Sequence, residues 1–224
     1  MYDDFYEEEE LYAEEPDAFS PLYPLLVLIL GVLLILIFDG GDAAGRAGSE
    51  LAFSKTEADV YHPEISPVFT PEVRFWGDEI MQWASETGLD PNLIATVMQI
   101  ESCGDPRATS QAGAKGLFQV MPYHFAFGEN PYRPDVNASR GLAYLKKSLD
   151  TAQGNFYLTF AGYNGGIGVI SRSEAYWAEE TRRYAYWGSG IYADALRGVS
   201  QSARLDEWLS HGGASLCAQA RKNQ

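Results

Sequence analysis

Residues 90–102 read Asp90-Pro91-Asn92-Leu93-Ile94-Ala95-Thr96-Val97-Met98-Gln99-Ile100-Glu101-Ser102. Asp before Pro is a helix start: the carboxylate can accept from the first free N–H groups, and the fixed φ of proline suits the first turn. Leu93, Ile94, Val97 and Met98 then recur at helical spacing and make one face apolar. Met98, Val97 and Ile94 precede Glu101 by three, four and seven positions, so its carboxylate projects from that same face. A charge there is costly. It must be paired, border a cleft, or hold a proton because burial raises a carboxyl pKa. Alone, this stretch favours a structural Glu bonded to an Arg or to backbone, and it is the wider context that reverses that preference.

Working outward, Thr70 and Pro71 repeat the start signal, and Phe75, Trp76, Ile80, Trp83 and Ala84 keep helical spacing until Gly88 ends the run. Further helices are expected from about Val136 to Leu149, from Phe156 to about Tyr163 with Gly165 and Gly166 as the stop, around Tyr176 to Tyr192, and from Ala203 to Leu209. Only Gly116 to Val120 looks extended. The fold class is mainly α with at most a very small β element.

Four segments add chemistry in a fixed order: Ile100-Glu101-Ser102; Ser110-Gln111-Ala112-Gly113-Ala114-Lys115-Gly116-Leu117-Phe118-Gln119-Val120-Met121-Pro122; Ala161-Gly162-Tyr163-Asn164-Gly165-Gly166; and Glu180-Thr181-Arg182-Arg183-Tyr184. Each is weak alone, and the four together are specific. From about Trp76 to Tyr192 the chain resembles the catalytic domain of the soluble-type lytic transglycosylases, relatives of goose-type lysozyme. The resemblance implies a lysozyme-like helical fold with a cleft for peptidoglycan glycan strands. It makes Glu101 the catalytic acid and base and sets Ser102 beside it at the cleft. Gln119 then contacts sugar, Met121 shapes the floor, Tyr163 and Asn164 approach the reacting sugar, and Glu180 and Tyr184 border the site. Gly162-Tyr163-Asn164-Gly165-Gly166 departs from the usual Ala-Tyr-Asn-Ala-Gly, Phe118 stands where Met is common, and Cys103-Gly104-Asp105-Pro106 replaces a more frequent Phe-Asn-Pro element.

The reaction implied uses one carboxylate, whereas ordinary glycosidases need two. Asp105, Asp135 and Glu180 are the formal candidates for a second. In the implied route Glu101 protonates the oxygen between N-acetylmuramic acid and N-acetylglucosamine, then takes the proton of the sugar's C6 hydroxyl, which closes a 1,6-anhydro ring. No metal or organic cofactor is required. The rival readings are a muramidase that delivers water to the same bond, a non-catalytic glycan-binding module, and an acidic membrane scaffold that borrows the fold.

The whole chain of 224 residues carries a net charge of -15, but nine of its 31 acidic residues lie in the first 17 positions, before any Lys or Arg. Neither part has the basic excess that nucleic-acid binding needs. Residues 1–20 read as an acidic disordered tail. Residues 21–38 contain no charged side chain and, at about 1.5 Å per residue, span about 27 Å as a transmembrane helix. A cleaved signal peptide is the rival, disfavoured by the acidic N-terminal flank. Residues 39–70 read as a Gly- and Pro-containing linker, 71–213 as the catalytic domain and 214–224 as a C-terminal tail. Peptidoglycan lies outside the cytoplasmic membrane, so the domain should be extracytoplasmic, although Arg46 and Lys55 would favour the opposite orientation.

In an exported domain the two cysteines suggest a Cys103–Cys217 disulfide, the alternative being two free thiols. His62, His124 and His211 have no ligand-pair spacing with one another or with either cysteine, which argues against a zinc site. Gly165-Gly166-Ile167-Gly168 lacks a preceding strand and reads as a helix stop, not as a phosphate loop. Of the aromatic run Tyr176, Trp177, Tyr184, Tyr186, Trp187 and Tyr192, most should be core and one or two should line the cleft.

Overall fold

The computed structural model describes residues 64–224. Among these the α-helices are α1 (Pro71–Arg74), α2 (Gly77–Thr87), α3 (Pro91–Glu101), α4 (Pro134–Thr151), α5 (Phe156–Gly165), α6 (Glu179–Leu196), α7 (Ala203–Trp208) and α8 (Ala214–Asn223). Within the described residues the extended pairing is limited to isolated bridges, Thr109 with Lys115 and Lys115 with Val120. The segment 21–38 lies outside the described residues, and no helix within them is long and apolar enough to cross a membrane.

The central helix is α3. Asp90 caps it, accepting from the backbone of Asn92 at 2.8 Å and Leu93 at 3.2 Å. Every residue from Leu93 to Ile100 is buried. Each fully buried Leu, Ile, Val or Met there contributes about 1.5–3 kcal/mol of burial free energy. The helix packs against α2 and α6, while α5 lies between α4 and α6. Gly188 lets α5 and α6 approach closely, because a Cβ at that position would sit 2.7 Å from the Phe160 ring. Gly88, at φ +70°, ends α2 in the left-handed conformation that a side chain would strain.

Four features differ from the sequence reading. The helix expected from Pro71 to Gly88 is broken at Phe75–Trp76: Trp76 is buried and its indole donates to the Gly104 carbonyl at 2.9 Å, while Phe75 is exposed. The Thr70 hydroxyl does not cap α1 but bonds to Gln99 Oε1 at 3.2 Å. The linker does not extend to residue 70, since Ile65, Val68 and Phe69 are buried in the core.

The fourth difference is at the other end. Residues 214–224 are not a tail but helix α8, with Cys217 and Ala220 buried. Several long-range contacts hold it. Cys217 is disulfide-bonded to Cys103 across 114 positions. Asn223 donates to Asp105 Oδ2 at 2.9 Å, Gln219 to the same atom at 3.1 Å, and Arg221 Nε to Glu72 Oε1 at 2.8 Å. The end of the chain is thereby fastened to the turn that follows Glu101.

Candidate active site

Glu101 is the last residue of α3, at the junction of two lobes of one cleft. The first lobe has a volume of about 420 Å³ and the second about 480 Å³, and Glu101, Ser110, Gln119, Asn164 and Glu180 line both. The Glu101 carboxyl is partly open to the cleft and makes no hydrogen bond to the described residues. Burial pushes its pKa up to about 8, and the Glu180 carboxylate adds to the rise. The Tyr184 hydroxyl opposes it, close enough to favour the carboxylate without completing a hydrogen bond of good geometry. At neutral pH Glu101 is therefore mostly protonated, the state a general acid needs.

Around it runs a ladder of tyrosines. The ring of Tyr163 lies 5.8 Å from Tyr144 and is stacked 6.4 Å from Tyr184. Tyr163 donates to the Phe118 carbonyl at 2.8 Å, which fixes α5 against the 110–122 segment. Burial, together with the nearby Glu101, holds both the Tyr163 and the Tyr184 phenols well above their ordinary pKa. They serve as neutral donors and as packing.

The 110–122 segment is shaped by a tight turn. Gly116 has φ +72° and Gln119 has φ +47°. A Cβ on Gly116 would lie 2.5 Å from Asn137 Nδ2, so the backbone must pass Asn137 closely. Asn137, fully buried on α4, accepts from Phe118 N at 2.8 Å and donates to the Lys115 and Pro131 carbonyls at 2.8 and 2.9 Å. This single amide holds Gln119 and Met121 at the cleft. Asn164 is held by the Thr181 hydroxyl at 2.9 Å, which ties α5 to the first turn of α6 and brings Glu180 to the cleft wall.

Of the residues singled out in the sequence, Glu101, Gln119, Met121, Tyr163, Asn164, Glu180 and Tyr184 come together at the cleft. Ser102 does not. It is fully buried, donates to the Leu117 carbonyl at 2.7 Å and accepts from Gly104 N at 3.1 Å, so it is not on the cleft surface and instead braces the turn after α3. Asp105 is likewise buried and bound to α8, and Asp135 is not among the lining residues. Glu180 is the second carboxylate of the cleft. His124, Arg140 and Tyr144 in the first lobe and Trp208 and His211 in the second were not picked out as site residues, and neither was Asn137. Asn137 did carry a signal: it lies on the buried face of α4 with Gly141, Leu145 and Ser148. Among the described residues the group with ligand atoms close enough for a metal is Glu72 with Cys103 and Cys217, but those sulfurs are bonded to each other and Glu72 pairs with Arg221.

Residues 78–185 match the family described as the Transglycosylase SLT domain. This part of the chain is a transglycosylase SLT domain. Its α2 from Asp78 onward, α3, α4 and α5, the intervening 102–133 segment and the first turns of α6 fall within the match. The chain is 37% identical over 111 residues to a transglycosylase of Enterobacteria phage PRD1, covering 49% of this chain and 40% of that protein. It is 29% identical over 141 residues to an endo-type membrane-bound lytic murein transglycosylase A of Klebsiella pneumoniae, covering 50% of this chain and 68% of that one. Among solved structures, an inactive mutant of the lytic transglycosylase Slt of Pseudomonas aeruginosa aligns with a TM-score of 0.43 at 25% identity, over 56% of this chain and 24% of that one. The SLT match ends at Tyr184-Ala185, so the rest of α6 and all of α7 and α8 are additional to it.

Proposed function

We propose that the chain is a membrane-anchored peptidoglycan lytic transglycosylase that cleaves between N-acetylmuramic acid and N-acetylglucosamine and leaves a 1,6-anhydromuramic end. The observation that carries this is Glu101: a carboxyl at the centre of a two-lobed cleft, with its pKa raised to about 8 by burial. Protonated Glu101 donates to the glycosidic oxygen as the bond to the anomeric carbon breaks. The muramic acetamido group stabilises the anomeric centre. The Glu101 carboxylate then accepts the proton of the C6 hydroxyl, whose oxygen attacks that carbon, and the acid form is restored. Gln119, Met121, Tyr163 and Asn164 hold the sugars, with Tyr184 and Glu180 tuning the acid. The lysozyme-like fold and the division into tail (1–20), anchor (21–38), linker and catalytic domain belong to the same proposal. The relatives named membrane-bound lytic murein transglycosylases support the membrane location, and the outer-face placement of the domain follows from where its proposed substrate lies.

The presence of Glu180 in the cleft favours one alternative, hydrolysis of the same bond with Glu180 activating water. Mass spectrometry of products from purified sacculi separates the two. Anhydro ends, with turnover retained in Glu180→Gln and lost in Glu101→Gln, support the one-carboxylate route. Reducing ends, lost in Glu180→Gln, establish a muramidase. Retained turnover in Glu101→Gln refutes both.

A further inference from the structure

We propose that Asp105 is a positioning residue for Glu101, and that the side chains of α8 which hold Asp105 set the direction of the catalytic acid; this rests on the transglycosylase reading above. Glu101 is the last residue of α3, so no further helical turn braces the backbone beyond it. The chain leaves the helix sharply there. Cys103 has φ +52° and Gly104 has φ +82°. The left-handed conformation is strained for Cys103, which carries a side chain. Such a turn persists only where its surroundings hold it.

What holds it is the end of the chain. Cys103 is bonded to Cys217, and the Gly104 carbonyl accepts from Gln224 Nε2 at 3.1 Å. The buried Asp105 carboxylate accepts from Asn223 Nδ2 at 2.9 Å on Oδ2 and 3.1 Å on Oδ1. It also accepts from Gln219 Nε2 at 3.1 Å and from Arg107 N at 2.8 Å. A buried carboxylate with this many donors is fixed in place. The clamp is tied to α1 as well, because Arg221 pairs with Glu72 and Gln224 Nε2 donates to the Glu72 carbonyl at 2.8 Å. All of these donors except Arg107 lie beyond the 78–185 match.

Loss of the clamp has two consequences at Glu101. The turn relaxes and the carboxyl moves, and misplacing a catalytic group by about 1 Å can cost about a hundredfold in rate. In addition, α8 contributes Leu216 and Gln219 to the wall of the lobe that Glu101 faces. A loosened wall admits water, which favours the carboxylate over the acid.

The test uses the detergent-solubilised full chain and soluble, uncross-linked peptidoglycan strands, with initial rates taken across pH at a temperature where every variant is folded. Asn223→Asp, which sets a second carboxylate against Asp105, should lower kcat by about tenfold with KM held within about twofold, and should move the alkaline limb to lower pH. Adding Asp105→Asn restores the donor–acceptor pair in reverse and should return both kcat and the limb to the parent's values. Asn223→Ala deletes the donor while the disulfide still holds α8, and should act in the same direction more weakly. Tyr184 and Glu180, the side chains that act on the Glu101 pKa, are untouched by all of these changes, so a shifted limb reports the clamp. A lowered melting temperature with kcat and limb unchanged in both single variants makes the contact merely structural, overturning the proposal and leaving the transglycosylase reading standing. A doubly substituted chain as slow as Asn223→Asp overturns it too. A parent that cleaves no strand overturns both.

Discussion

Replacing Glu101 by Gln should stabilise the domain, and increasingly so as the pH rises. Glu101 has a pKa near 8 when folded against an ordinary value of 4.5. Between these limits the folded protein holds a proton that the unfolded chain releases. Stability therefore falls as pH rises from 4.5 to 8 and stays lowered above that. At 1.36 kcal/mol per pKa unit the full span corresponds to roughly 5 kcal/mol. The carboxyl opens onto the cleft, where water screens part of the penalty, and roughly half that value, about 2–3 kcal/mol, is the expected magnitude. For a domain of this size each kcal/mol moves the melting temperature by about 2–4 °C. The substituted amide is neutral throughout and carries no such penalty. The variant should thus melt close to the parent at about pH 4.5 and roughly 5–10 °C above it at about pH 9. Scanning calorimetry across that range measures the difference, and all other titrating groups cancel to first order. A difference that stays flat across the whole range would refute the idea that burial keeps this acid protonated.

The neighbours of Glu101 should move the alkaline limb of the pH–rate profile in opposite directions. Tyr184→Phe removes a group that lowers the Glu101 pKa and shifts the limb to higher pH, whereas Glu180→Gln removes one that raises it and shifts the limb to lower pH; initial rates on sacculi measure both. Gly141→Ala places a Cβ 2.5 Å from Phe118 Cβ and 3.3 Å from the Tyr163 hydroxyl, so thermal unfolding should show a loss of about 1–3 kcal/mol, with glycan binding weakened alongside. Joint replacement of Cys103 and Cys217 by Ser opens a loop spanning 114 positions, for which the chain-entropy loss approaches about 4.7 kcal/mol. Denaturant titration should show a drop of about 3–5 kcal/mol, and a drop below about 1 kcal/mol would mean that the polar contacts of α8 alone hold it.

The parts of this molecule that were legible from sequence are those fixed by local rules. The Asp90-Pro91 start, the Gly88 stop and the apolar face of α3 need only neighbours within two turns. The parts that were not legible depend on distant partners. Phe75 and Trp76 both fit a continuous helix, and it is the buried Trp76 indole, bonded to Gly104, that accompanies the break. Residues 214–224, with Arg221, Lys222 and Asn223 crowded at the end, have the local composition of a tail. The disulfide, Asp105 and Glu72 make them a packed helix. Ser102 was legible only in part, for a related reason: it caps the C-terminus of α3 with φ -141°, off the helical path, and its hydroxyl turns to the Leu117 carbonyl and not to the cleft.

One sequence signature recurs with different outcomes. Gln99, Glu101 and Asn137 are all polar residues on buried helical faces. Gln99 accepts from the Thr70 backbone at 3.1 Å, and Asn137 bonds to three backbone groups, so both amides are spent on holding the chain. Glu101 has no such bond and faces open space. A buried polar group with its partners supplied serves structure, and one left without them stays poised for a substrate. The periodicity of α3 placed all the information about Glu101's direction in the sequence. Whether anything waited there to neutralise it was decided by α5, α6 and the 110–122 turn, none of which lies within reach of a local pattern.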